Sequence, residues 1–128
     1  MRVRITAGKL TLEAELRDTP TTRALAEVLP FEASAQTWGE EIYFTTPVSA
    51  TLEPDAKQVV DPGTVCFWTE GDALALPYGR TPISTDERPK LAARCNVLGT
   101  LVDDPHTLSG IKAGAKIRVE NADAKKAR

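Results

Sequence analysis

The chain is predicted to be mainly β, a closed antiparallel barrel with two short capping α-helices. Alternation of apolar and polar residues returns in segment after segment, and only two stretches carry helix start signals. At 128 residues the chain fits one domain, large enough to bury a core without disulfides or metals.

Val3 and Ile5, then Leu10, Leu12, Ala14 and Leu16, fall on one face, while Thr11, Glu13, Glu15 and Arg17 fall on the other. That period of two marks half-buried strands, and Ala7-Gly8-Lys9 between them reads as a tight hairpin. Asp18-Thr19-Pro20 supplies an N-cap and a proline for the first helical position. Ala24, Leu25, Val28 and Leu29 then share a helical face, and Pro30 stops the helix. Alternation resumes at Val48, Ala50 and Leu52. Val65 to Trp68 and Ala73 to Tyr78 form a strand pair around a Gly71-Asp72 turn. Val97 to Val102 is a near-continuous apolar run, as expected of a strand covered on both sides. Asp104-Pro105 repeats the helix start, with Leu108 and Ile111 as the buried side and Ala113-Gly114 as the stop. Ile117 and Val119 alternate with Lys116, Arg118 and Glu120 in a last strand. Two short helices suit the open ends of such a barrel. The domain is placed at residues 1–120, with 121–128 as a polar, disordered tail.

Composition narrows the function classes. Sixteen basic residues face 18 acidic ones, for a net charge of -2, and no basic stripe of a nucleic-acid binder is present. No apolar window reaches the length of a membrane span, and Met1-Arg2-Val3-Arg4-Ile5 lacks a signal-peptide core, so a cytoplasmic protein is expected. Cys66 and Cys95 read as two buried thiols of a reducing compartment. The sole histidine, His106, reads as a solvated residue early in the second helix. Neither a metal nor a cofactor is expected.

Several phrases then carry a family resemblance. Leu29-Pro30-Phe31-Glu32, the run Trp38-Gly39-Glu40-Glu41-Ile42-Tyr43-Phe44 and the run Gly79-Arg80-Thr81-Pro82-Ile83-Ser84 resemble the marks of compact bacterial and archaeal cyclophilin-like proteins. The helix Arg23 to Leu29, the turn Asp61-Pro62-Gly63-Thr64-Val65, and the strand Asn96 to Val102 with Leu108 to Ile111 after it resemble cyclophilin pieces in the same order. The likeness covers about residues 2 to 120. It implies the cyclophilin-like barrel and its groove. Cyclophilin isomerases use a phenylalanine-histidine-arginine step whose arginine donates to the prolyl nitrogen. The corresponding stretch here reads Phe31-Glu32-Ala33, and the methionine-x-glutamine step is missing too. Amide rotation faces a barrier of roughly 18–20 kcal/mol, and losing a positioned donor costs about 2.7–4 kcal/mol of transition-state stabilisation. An efficient isomerase is therefore not expected.

The candidate ligand-binding residues are Trp38, Glu40, Tyr43, Trp68, Tyr78, Arg80, Thr81, Ser84 and Arg94; no catalytic residue is assigned. Trp38 and Tyr78 stand beside glycines at strand ends, where a ring can line a pocket and still offer an N–H or O–H. If Ile42 and Phe44 face inward, Glu40 shares their side and needs a partner, for which Arg80 and Arg94 are candidates. Arg80, Thr81 and Ser84 belong to an aperiodic stretch running to Cys95, long enough to suggest a functional loop. The expected function is a binding domain whose groove takes a peptide segment or small polar ligand, with neither nucleic acid nor membrane as partner. Oligomeric state is not set by the sequence. The alternatives are a peptidyl-prolyl isomerase using Arg80 or Arg94, or, by fold analogy, a non-catalytic subunit of an amide- or lactam-hydrolysing assembly.

Overall fold

The fold was obtained as a computed structural model and describes residues 1–123. The opening hairpin forms as its alternation requires: β1 (Arg2–Ala7) pairs antiparallel with β2 (Leu10–Leu16), and Val3, Ile5, Leu12, Ala14 and Leu16 are all buried. Helix α1 (Pro20–Val28) follows. Its N-cap is Thr19, whose side chain and that of Thr22 bond each other's backbone N–H in a reciprocal capping box. Pro20 then occupies the first turn as expected.

Short strands β3 (Phe31–Ser34) and β4 (Gln36–Thr37) are two halves of one bent segment. β3 pairs with the last strand and β4 with β5 (Glu41–Thr45), so residues 31–37 bring the two edges of the sheet together. The remaining strands are β6 (Lys57–Val59), β7 (Thr64–Trp68), β8 (Ala73–Pro77), β9 (Lys90–Leu101) and β10 (Lys116–Asn121). Nine of them run in the order β3-β10-β1-β2-β9-β7-β8-β5-β4, while β6 pairs only with β9. The result is a nearly closed, mainly β antiparallel barrel with two short helices.

Three expectations are corrected. Val48 to Leu52 is not a strand. The Val48 N–H donates to the Thr46 hydroxyl and the Glu53 N–H to the Asn96 side chain, so this backbone spends its donors on side chains. The strand expected at Val97 begins instead at Lys90, since Lys90 and Cys95 find partners in β6. The second helix is a 3-10 helix, Pro105–Gly110, capped by Asp104 and tied by Thr107 N–H to Asp104 and Ile111 N–H to Leu108 carbonyls. β10 reaches Asn121, and Ala122 N–H still bonds Arg2; the tail from residue 124 onward lies outside the described residues.

The main core fills the barrel with Ile42, Phe44, Val65, Phe67, Leu74, Leu76, Leu98, Ile117 and Val119, plugged by Leu25 of α1 and Leu108 of the 3-10 helix. A buried polar knot fastens α1 to the sheet. Thr21 donates through Oγ1 (2.5 Å) and N (3.2 Å) to Glu53, and Asn96 Nδ2 donates to Thr21 Oγ1 (3.0 Å) and the Thr51 carbonyl (2.9 Å). Each member satisfies another, which makes such a knot tolerable in a core.

Candidate functional site

A second, smaller apolar cluster lies on the outside of the barrel, where β-sheet geometry ordinarily calls for polar residues. Its members Val60, Cys66, Ala75, Leu91 and Cys95 are buried, with Tyr43, Trp68 and Val97 packed against them. Register explains the assembly. Tyr43 pairs with Ala75, Ala75 with Cys66, and Cys66 with Val97, so one row crosses β5, β8, β7 and β9. Ala75 is the small member of that row, and beside it a cavity of 220 Å³ opens. Trp38, Glu41, Tyr43, Trp68, Ala75, Leu91, Ala92 and Cys95 line it.

The aromatic walls are held by their polar ends. Tyr43 Oη donates to Gln36 Oε1 (3.1 Å), and Trp68 Nε1 donates to Glu70 Oε1 (3.2 Å). The two rings stand at 90° with centroids 6.4 Å apart. A Cβ at Gly71 would overlap the Trp68 indole, so only glycine lets the β7–β8 turn pass so close to that ring. Trp38 is set by the bend that follows it: its N–H donates to the Glu41 carbonyl (3.0 Å), and Gly39 takes a left-handed φ of 61°.

Glu41 is the polar anomaly of the cavity. It is 6% exposed, and its Oε1 is buried without a hydrogen-bond partner among the described residues. Burial raises its carboxyl to about 7. The neighbouring thiols are held protonated: burial, with the Glu41 and Glu70 charges adding, pushes Cys95 up to about 12, and burial, with Cys95 and Glu41 beside it, raises Cys66 well above the ordinary thiol value. Neither thiol is a ready nucleophile at neutral pH. Both cysteines belong to this outer cluster and both are free. Among the described residues no group of three or more metal-binding side chains converges.

The nine residues selected from the sequence divide. Trp38, Tyr43 and Trp68 line the cavity together. Glu40 does not share the inward side of Ile42. The chain leaves the sheet at the Gly39 bend, and Glu40 instead accepts the Arg80 N–H on its carboxylate (3.0 Å) and the Tyr78 N–H on its carbonyl (2.8 Å). A Cβ at Gly79 would collide with that carboxylate. The Arg80 guanidinium is turned to its own loop, donating to the Asp86 (2.7 Å) and Ser84 (3.2 Å) carbonyls. Ser84 Oγ accepts from the Thr81 (2.9 Å) and Lys90 (3.1 Å) N–H groups, and Thr81 Oγ1 donates to the Lys90 carbonyl. These hydroxyls close the loop. Tyr78 packs on the inner core and meets His106 edge-on at 6.2 Å. Arg94 is exposed and outside the cavity lining.

Glu41, Ala75, Leu91, Ala92 and Cys95 are the lining residues that sequence reasoning passed over. Glu41 had a signal, since alternation puts it opposite Ile42. The others had none, because their partners lie on different strands.

No curated protein matches this chain. The solution structure of the hypothetical protein AF2241 from Archaeoglobus fulgidus is similar at 40% identity over 95% of each chain, with a TM-score of 0.82. The family model described as Cyclophilin-like matches residues 1–120, and with the barrel and its outer cleft in view the chain belongs to the cyclophilin-like family.

Proposed function

We propose that this protein is a binding domain that holds one compact group of a peptide or small molecule in the outer cavity, and that rapid prolyl isomerisation is not its activity. The observation that carries the reading is the aromatic-walled cavity itself, with a buried carboxyl among its lining residues whose Oε1 has no partner among the described residues. Its 220 Å³ falls below the roughly 300–1,000 Å³ of pockets that enclose drug-sized ligands. The end of a side chain or a metabolite of that size fits; an extended peptide can only cross the rim.

Against isomerisation, no arginine or lysine is among the lining residues, and the Arg80 guanidinium is engaged by two carbonyls of its own loop. A donor to the prolyl nitrogen is the feature such catalysis leans on. A thermal-shift and chemical-shift screen with short peptides and small metabolites tests binding: ligands should move the Trp38 and Trp68 indole resonances, and Trp68→Ala should remove the response. A protease-coupled assay on a proline tetrapeptide tests the other half. Turnover at the level of an efficient isomerase, lost in Arg80→Ala or Arg94→Ala, overturns the proposal.

A further inference from the structure

We infer that the group taken by the outer cavity is a methylated ammonium, caged by Trp38, Tyr43 and Trp68 and neutralised by Glu41; this rests on reading that cavity as a ligand site. Three aromatic residues line a space with Glu41 as its sole side-chain carboxylate. Two of the rings are perpendicular and pinned by hydrogen bonds, so they present a preformed corner. Aromatic faces attract cations, most strongly where water is excluded.

The choice between ammonium types follows from the shortage of acceptors. A primary ammonium brings three N–H groups, each needing a partner once desolvated. Ala75, Leu91, Ala92 and Cys95 offer side chains that are apolar or only weakly polar, leaving Glu41 alone as a strong side-chain acceptor. Methyl groups on nitrogen remove that demand and suit the apolar walls. Glu41, 6% exposed with Oε1 unpaired, is in turn short of a positive charge. A buried cation and a buried carboxylate each supply what the other lacks.

Protonation gives the assignment its sharpest consequence. Glu41 is raised to about 7 by burial, so a cation selects its ionised form and should bind more tightly above that pH. The groups facing it stay neutral across this range: Cys66 on β7 and Cys95 on β9 are both raised by burial, and Ala75 and Pro77 on β8 do not titrate. Tyr43 shares its strand face, and Glu70, outside the lining, accepts the Trp68 indole N–H.

The test uses the full chain, choline, and 3,3-dimethylbutan-1-ol, its neutral carbon analogue, followed by calorimetry and by the Trp38 and Trp68 indole resonances from pH 5.5 to 8.5. Choline should bind at least tenfold more tightly than the alcohol at pH 8 and about tenfold more weakly at pH 5.5 than at pH 8. Glu41→Gln should shrink the preference to what the rings alone supply and abolish the pH dependence, while melting as a folded protein. The wild-type pH series carries the same information if that variant does not fold. Equal binding of both compounds overturns the ammonium assignment and leaves the cavity a ligand site. Tighter binding at low pH, or of N-methylacetamide over choline, makes Glu41 a neutral donor to carbonyls and also overturns it. If neither compound binds, the assignment fails, and the peptide and metabolite screen separately decides whether the cavity takes ligands at all.

Discussion

The outside of this barrel has two unlike faces, built by the same alternation. On β2, β1, β10 and β3 the outward residues are polar, and their charges are matched within and across strands. Arg2 reaches Glu13 and Glu15, Arg4 reaches Glu13, and Arg118 reaches Glu32 and Glu120. On β5, β8, β7 and β9 the outward residues include Tyr43, Ala75, Cys66, Trp68, Leu91 and Cys95, with Glu41 Oε1 unpaired among the described residues. In the first face every charge has an opposite beside it in water, so nothing is left for a ligand to satisfy. In the second, apolar area and one carboxyl are gathered without a match. An incomplete face leaves something for a ligand to satisfy; a complete one holds the strands in register.

The largest expected effect comes from hollowing the apolar face. Leu91 is 1% exposed, and Leu91→Ala should cost about 2–5 kcal/mol in urea unfolding, as for an internal leucine. A cost under about 1 kcal/mol would make this face ordinary surface and dissolve the contrast.

Next is the pH dependence of stability. Glu41 titrates near 4.5 when unfolded and at about 7 when folded, so the folded chain retains a proton that the unfolded chain releases in that window. Stability should therefore fall as pH rises from about 4.5 to about 7 and level off above, by roughly 3 kcal/mol for this group alone. Glu41→Gln should remove that component, seen by chemical unfolding at pH 5 and pH 8. An unchanged slope would show that the carboxyl finds a partner in solution.

Smaller still is the charged face. Glu13 serves both Arg2 and Arg4, yet these side chains are partly solvated, and Glu13→Ala should cost no more than about 1 kcal/mol, shrinking in high salt. The smallest effect belongs to the loop. Arg80→Ala removes bonds to Asp86 and Ser84 at the surface; stability should stay within about 0.5 kcal/mol while amide exchange at residues 84–88 quickens.

Much of this was legible before any coordinates. The opening hairpin, α1 with its proline start, the turn at Gly71-Asp72 and the final strand all follow from local pattern, because alternation, caps and turn residues act over a few neighbours. Trp38, Tyr43 and Trp68 were among the candidate ligand-binding residues and do meet in one cavity, whereas Tyr78, read as Trp38's counterpart beside a glycine, packs on the inner core. The misread strand at Val48 shows the limit of pattern: alternation was present, but among the described residues these positions pair with no strand.

By itself the sequence determined the class of fold and the inward rows, since alternation, caps and turns are properties of single segments. Only tertiary structure decided that Glu41 rather than Glu40 is the carboxyl of interest, and that Ala75, Leu91 and Cys95 are its neighbours. The reason is register. Which outward residues share a patch depends on how four strands are aligned, and the bend at Gly39 takes Glu40 out of the sheet while Glu41 keeps its outward place in β5.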